Sequence, residues 1–154
     1  DTGVSMDKTA DFILYLDASS NTTKKILASN SSFVERALAM KAIPDTLELY
    51  IGDGIARMVV PSTLDGLSLN SIGAHVFTAG SSGSNTIMLY NESKSVDILT
   101  TGVIIEVSET DSSTSGTPPL ISSNNTVNTA DVLRIDVDTI STGAKGLEVR
   151  MVFK

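Results

Sequence analysis

The sequence contains no cysteine. Disulfide scaffolds, thiolate zinc sites and cysteine nucleophiles are thereby excluded. Tryptophan is absent too, and four Phe with three Tyr are the whole aromatic supply. A carbohydrate platform built from flat aromatic faces has little to draw on. A single histidine, His75, leaves no multi-histidine metal centre. Eleven basic residues face eighteen acidic ones, for a net charge of −7. That balance opposes binding to nucleic acid or to an anionic membrane surface. No apolar run approaches the ~18 residues of a membrane-spanning helix. The expectation is therefore no nucleic acid, no membrane insertion, no metal and no cofactor.

The 154 residues suit one domain with a real core, which buries about 70% of its unfolded surface. Ser and Thr account for 38 positions, while 41% of residues are hydrophobic and 19% charged. This is an apolar skeleton set in a hydroxyl-rich surface, not a disordered composition.

Two parts are visible. Residues 1–44 read as an attachment or oligomerisation segment. It holds an apolar run, Phe12-Ile-Leu-Tyr-Leu16, a turn cluster from Asp17 to Thr23, and a return strand from Lys24 to Ala28. Asn30-Ser-Ser32 offers a helix N-cap, and Phe33, Ala37 and Met40 share one face at helical spacing, so a short helix is predicted over 33–40 and stopped at Ile43-Pro44. A helix this short is marginal alone and must lean on a neighbour.

Residues 45–154 read as strands throughout. Candidates are 46–51, 56–61, 67–77, 86–90, 96–99, 102–107, 132–138 and 147–153, with a long Ser/Thr/Gly/Pro-rich loop over 108–128. Leu133, Ile135 and Val137 alternate with Arg134, Asp136 and Asp138; Leu147, Val149, Met151 and Phe153 alternate with Glu148 and Arg150. Period two with one apolar face means strands set over a core. No helices separate them, so the expected fold is all-β, a jelly-roll-like antiparallel β-sandwich preceded by a small hairpin and short-helix segment.

No motif assembles a catalytic site. Gly80-Ser-Ser-Gly83 precedes a strand rather than a helix and lacks a Lys, so it reads as a hairpin loop, not a phosphate cradle. His75 sits mid-strand with no nucleophile elbow in the chain and reads as a surface or interface histidine, open to a pH-sensitive contact. Asp131, Asp136 and Asp138 lie in a row and do not converge as a calcium site requires; a solvated or cross-strand paired face is expected. Asp53, between two glycines, reads as turn chemistry. Ile104, Val152, Met88 and Phe77 break the alternation on faces that should be wet, which points to a second buried surface. The expected interface residues are Phe12, Leu14, Phe33, Val34, Ala37, Leu38, Ile104 and Val152, with apolar contact rather than exposed salt bridges supplying the energy.

The segment Asp11-Phe-Ile-Leu-Tyr-Leu-Asp-Ala-Ser-Ser20 followed by Lys24-Lys-Ile-Leu27 resembles an N-terminal module of tailed-bacteriophage virion appendages. The stretches Phe77–Gly83, Ile87–Asn91, Asp97–Leu99, Val127–Val137 and Thr142–Val149 are similar to a β-sandwich module of phage structural proteins. Together the resemblance covers roughly residues 8–32 and 47–154. It implies a non-enzymatic virion protein on the outer surface of the particle, commonly a homotrimer. The implied roles are capsid decoration or cement, head fibre, or tail-fibre module, with the major capsid protein or another virion protein as partner. It supplies no catalytic residues. A complete small chain without a repetitive shaft favours decoration of the shell through the N-terminal part. The alternatives are a receptor-binding module contacting a host surface glycan through 79–84 and 108–128, and, from another class, a free carbohydrate-binding module.

Overall fold

The structure, a computed structural model, describes residues 12–17, 22–27 and 35–154. The chain divides into two compact units, Asp1–Glu35 and Arg36–Lys154. In the first, β1 (Phe12–Asp17) and β2 (Thr22–Leu27) pair antiparallel, from Phe12 opposite Leu27 to Asp17 opposite Thr22. The return strand starts at Thr22, two residues before the predicted Lys24, as suits the β preference of consecutive threonines.

The second unit is a sandwich. Its strands are β3 (Arg36–Glu48), β4 (Gly52–Val59), β5 (Leu69–Thr78), β6 (Asn85–Asn91), β7 (Val96–Asp97), β8 (Leu99–Thr101), β9 (Val103–Ile105), β10 (Leu120–Ile121), β11 (Val132–Thr139) and β12 (Lys145–Phe153). One sheet has the order β3-β12-β5. The other has the order β4-β11-β6-β7, with β9 also on β6, and β8 pairs β10 separately. All the pairings are antiparallel. The first strand of the sandwich neighbours the last and the second neighbours the last but one, with β5 and β6 next in line. That is the order of a jelly roll.

The core follows the alternation. Leu147, Val149, Met151 and Phe153 of β12 face Leu133, Ile135 and Val137 of β11, joined by Ala74, Val76, Ile87, Leu89, Val103 and Ile105, all buried. The predicted strand over 96–99 is split at Ile98, which is itself buried, into β7 and β8.

The helix predicted over 33–40 is absent. Arg36–Met40 are strand, and β3 continues through Ile43 and Pro44; Phe33 and Val34 lie outside the described residues. Ala, Leu, Met and Lys are good helix formers, but the β12 edge offers a ladder, from Phe153 opposite Arg36 to Glu148 opposite Lys41. Tertiary pairing overrides local propensity here. Pro44 is tolerated because the register shifts around it. Residues 44–47 form a bulge between the pairs Leu147–Ile43 and Lys145–Glu48, opposite Gly146 alone, so no ladder donor is required of Pro44. Gly146 has φ +65°, and a Cβ there would lie 2.7 Å from the Asp45 Cα and 3.0 Å from the Phe77 ring. The sequence-based division at Pro44 falls inside this strand.

The Gly80–Gly83 loop is not a hairpin. β5 and β6 belong to different sheets, so the loop crosses the sandwich. Beside it runs another crossing, from β11 to β12. The two are tied by Ser81 N–H to the Thr142 carbonyl and Thr142 N–H to the Ser82 carbonyl, both 2.9 Å. Asn85 Oδ1, fully buried, accepts from Ser141 N–H at 2.8 Å. The glycines serve close packing: a Cβ on Gly80 would overlap the Ser141 side chain.

Candidate interaction surface

The outward residues of β4, β11 and β6 carry a charged network. Arg134, mostly buried, donates from Nε and Nη2 to the two Asp136 oxygens at 2.7 Å each. Its guanidinium lies over the Tyr90 ring, 4.3 Å from the centroid. Arg57 grips Glu92 through Nε and Nη2 at 3.0–3.1 Å. The hydrogen bonds from Arg57 hold the Glu92 carboxyl below its ordinary range. Asp136 also accepts from Gly54 N–H at 2.7 Å. Asp136 is thus buried and its ion pair lies within its own strand, with Arg134; its cross-strand partner is only the Gly54 N–H, not the charge that a cross-strand paired face would supply. Asp138 is pushed up, first by desolvation and then by the charges of Asp136, Asp53 and Asp97.

Asp131 does not join that cluster. It is buried at the head of β11, where its Oδ2 accepts from Asn91 Nδ2 and Asn128 N–H at 2.9 Å each and meets Lys94 Nζ at 3.1 Å. Burial pushes its carboxyl up, but these donors outweigh burial and hold it below the usual range. Lys94 Nζ also donates to the Thr126 carbonyl and to Asn128 Oδ1. It lines an open cleft of about 270 Å³ with Val96, Ser123, Asn124 and Thr126. The three protons of its ammonium are matched by these three acceptors, so it has no donor left for an anion. The signal for this tie was the Asn91-Glu-Ser-Lys94 sequence, a turn in which Lys94 N–H donates to Asn91 Oδ1.

On the other sheet the outward residues of β12 are Glu148, Arg150 and Val152. Their direct partners are Lys41 and His75, Ala39 and Gly73, and Ala37 and Ser71. The long loop folds onto β5. Thr110 O accepts from Val76 N–H at 2.8 Å and Ser112 Oγ from Ala74 N–H at 2.9 Å. Asp111 takes the Arg150 guanidinium and stands 3.5 Å from His75 Nδ1. Burial raises the Asp111 carboxyl, and the Ser113 N–H and hydroxyl with Arg150 lower it further, to below its ordinary range. His75 is half-buried and edge-on to Phe77.

Within the second unit, the expected interface residues do not form one patch. Ala37 and Val152 are directly paired on the outward side of the β3-β12-β5 sheet, and Ala37 is exposed. Leu38 is half-buried against the core. Ile104 lies on the other sheet, opposite Thr86. Phe12 and Leu14 are in β1, while Phe33 and Val34 lie outside the described residues. The open aromatic faces that a sugar platform needs are mostly taken: Arg134 covers Tyr90, and Lys41 sits 3.6 Å over the Phe77 ring.

Four of the eight exposed large apolar side chains lie along β3 and β4, while Phe77, Val107, Leu120 and Ile140 stand outside that group. Leu47, Tyr50 and Ile51, each more than half exposed, stand within five residues at the β3–β4 corner, and Val59 ends β4. Along the same side, Leu38, Ala42, Ile55, Ala56 and Met58 are only partly covered by the core. β3 and β4 are the outer strands of their sheets there. No group of three or more metal-ligating side chains occurs among the described residues. No family model matches the chain, nor does any curated protein or solved structure.

Proposed function

We propose that the chain is a non-enzymatic structural protein of a tailed-phage virion, a capsid decoration, cement or head-fibre protein that binds the outer shell and projects its sandwich. The observation that carries this reading is the uneven surface of the sandwich. Both outward sheet faces are occupied by ion pairs and a docked loop, whereas apolar side chains and two outer strands are left on the β3–β4 side. Scattered exposed apolar residues are ordinary, but the grouping of Leu47, Tyr50 and Ile51 at the β3–β4 corner marks a contact surface. The likeness of Asp11–Ser20 and of the sandwich stretches to phage appendage modules supplies the virion context. A protein that binds the assembled shell and not its open form stabilises the shell by linkage.

The test is quantitative mass spectrometry of purified virions from the phage encoding this chain, with cosedimentation of the recombinant protein on shells stripped of it. Copies that scale with the shell, together with rebinding, support the reading. Copies that scale with the tail, or absence from the particle, refute it.

A further inference from the structure

We propose that β3 pairs edge to edge with β3 of a second copy of this chain, antiparallel about Ala39, merging two three-stranded sheets into one of six. The inference goes beyond the virion reading, since pairing is a property of the isolated protein and stands or falls without the particle.

In the two main sheets of the sandwich the other edges are closed or poor templates. The outer donors of β5 at Ala74, Val76 and Leu69 are taken by Ser112, Thr110 and Asn125. β7 and β9 are two and three residues long. β4 carries Asp53 and Arg57, and its register shifts opposite Asp136. Charges, bulges and short length are the usual protections of an edge. Between Ala37 and Lys41 the ladder of β3 with β12 is unbroken, and the one charge, Lys41, is paired with Asp45. Pairing is stopped beyond that by the shift at Ala42 and by Pro44.

The stretch is self-complementary. About Ala39, the residue directly opposite Ala37 is the second copy's Lys41, Leu38 faces Met40, and Ala39 faces itself. The one charge in the stretch meets an alanine, so no like charges oppose each other. On the outward side the alanines leave room for close strands; on the inward side Leu38, only partly covered by its own core, extends it toward the second copy's Met40. Five paired residues form less than a standard interface, so the dimer is concentration-dependent. A twofold pairing gives even-numbered assemblies and competes with the trimer that the phage resemblance implies.

The test uses the full chain, whose lack of cysteine makes any disulfide intermolecular. Directly opposed residues have Cα atoms about 4.5–5.5 Å apart, within disulfide range. Ala39→Cys is expected to form a covalent dimer under mild oxidation. Ala37→Cys is not, because its copies lie four residues apart along the ladder, about 13 Å. Light scattering should show the mass doubling with concentration, and Ala39→Lys should return it to one chain with the melting curve of the monomer unchanged. A mass that stays at one chain up to about 1 mM, a trimer, or equal crosslinking of the two cysteine variants overturns the proposal.

Discussion

Gly146→Ala tests how the β3 bulge is seated. Two costs apply. The first is conformational: at φ +65° an L-residue with a Cβ is strained by about 1–2 kcal/mol, partly offset by the ~0.4–1 kcal/mol that Gly→Ala removes from the unfolded chain's freedom. The second is steric: the new Cβ would stand 2.7 Å from the Asp45 Cα, 3.2 Å from its carbonyl oxygen and 3.0 Å from Phe77 Cδ2. Two of those three atoms are backbone, so the bulge itself must move, an overpacking cost of about 1–3 kcal/mol. Gly143 isolates the first term. It has φ +77° with no atom within 4 Å of an added Cβ, so Gly143→Ala should cost only about 0.5–1 kcal/mol. Gly146→Ala should cost about 2–4 kcal/mol, which lowers Tm by roughly 8–15 °C for a unit of this size. Urea titration and thermal melts of both variants measure the difference. Equal losses would refute the packing of Asp45 on Gly146, and with it the account of why Pro44 fits inside a strand.

Three further outcomes are expected. Asp131→Asn should destabilise by about 1–3 kcal/mol, because the neutral amide oxygen left at the Oδ2 position keeps the contacts of Asn91, Asn128 and Lys94 but loses the charge that strengthens them. The folded Asp131 carboxyl lies below its unfolded value, so its contribution is present above the unfolded pKa and is lost as pH falls through the folded one; acid titration of stability should be shallower in the variant. Ala130→Gly should stabilise by about 0.5 kcal/mol, since φ +69° at Ala130 is relieved by more than the added unfolded-state freedom costs; denaturant midpoints check it. Asp111→Ala should release the loop from Arg150 and His75, seen as faster protease cleavage between 108 and 116 and faster amide exchange at Val76, with the sandwich core unaffected.

Much of the fold was legible because period two survives wherever one strand face is buried. β11 and β12 are long, central and alternating, and their inward residues are those the pattern names. The short strands were harder. β10 is two residues inside a loop rich in turn formers, held by β8 rather than by any pattern of its own. The crossing at Gly80–Gly83 looked like a hairpin because turn chemistry is local, whereas membership of a sheet is decided by β12 and β11, which lie far along the chain. The candidate surface was partly legible. Off-pattern residues do flag outward apolar positions, but a strand pattern says nothing of which side of a sandwich stays open. Leu47, Tyr50 and Ile51 belong to a strand predicted over 46–51, whereas β3 ends at Glu48 and the last two stand at a corner, so their exposure is not legible in the pattern.

The misreading of β3 has a physical meaning. Ala37-Leu-Ala-Met-Lys-Ala42 consists of helix formers and is poor in β-branched residues, so it has little tendency to form a strand alone. It becomes one when β12 presents a finished edge and Met40 and Ile43 enter the core. A β-rich sequence at the same edge would be a template before folding as well as after it, which is the route to aggregation. With this composition the edge exists only in the folded sandwich. Pairing through Ala39 is thereby made conditional on folding. Replacing Ala37 and Ala39 together by Val should therefore strengthen the dimer and lower the yield of soluble protein on refolding; stronger dimerisation with unchanged yield would show that the alanines carry no such protection.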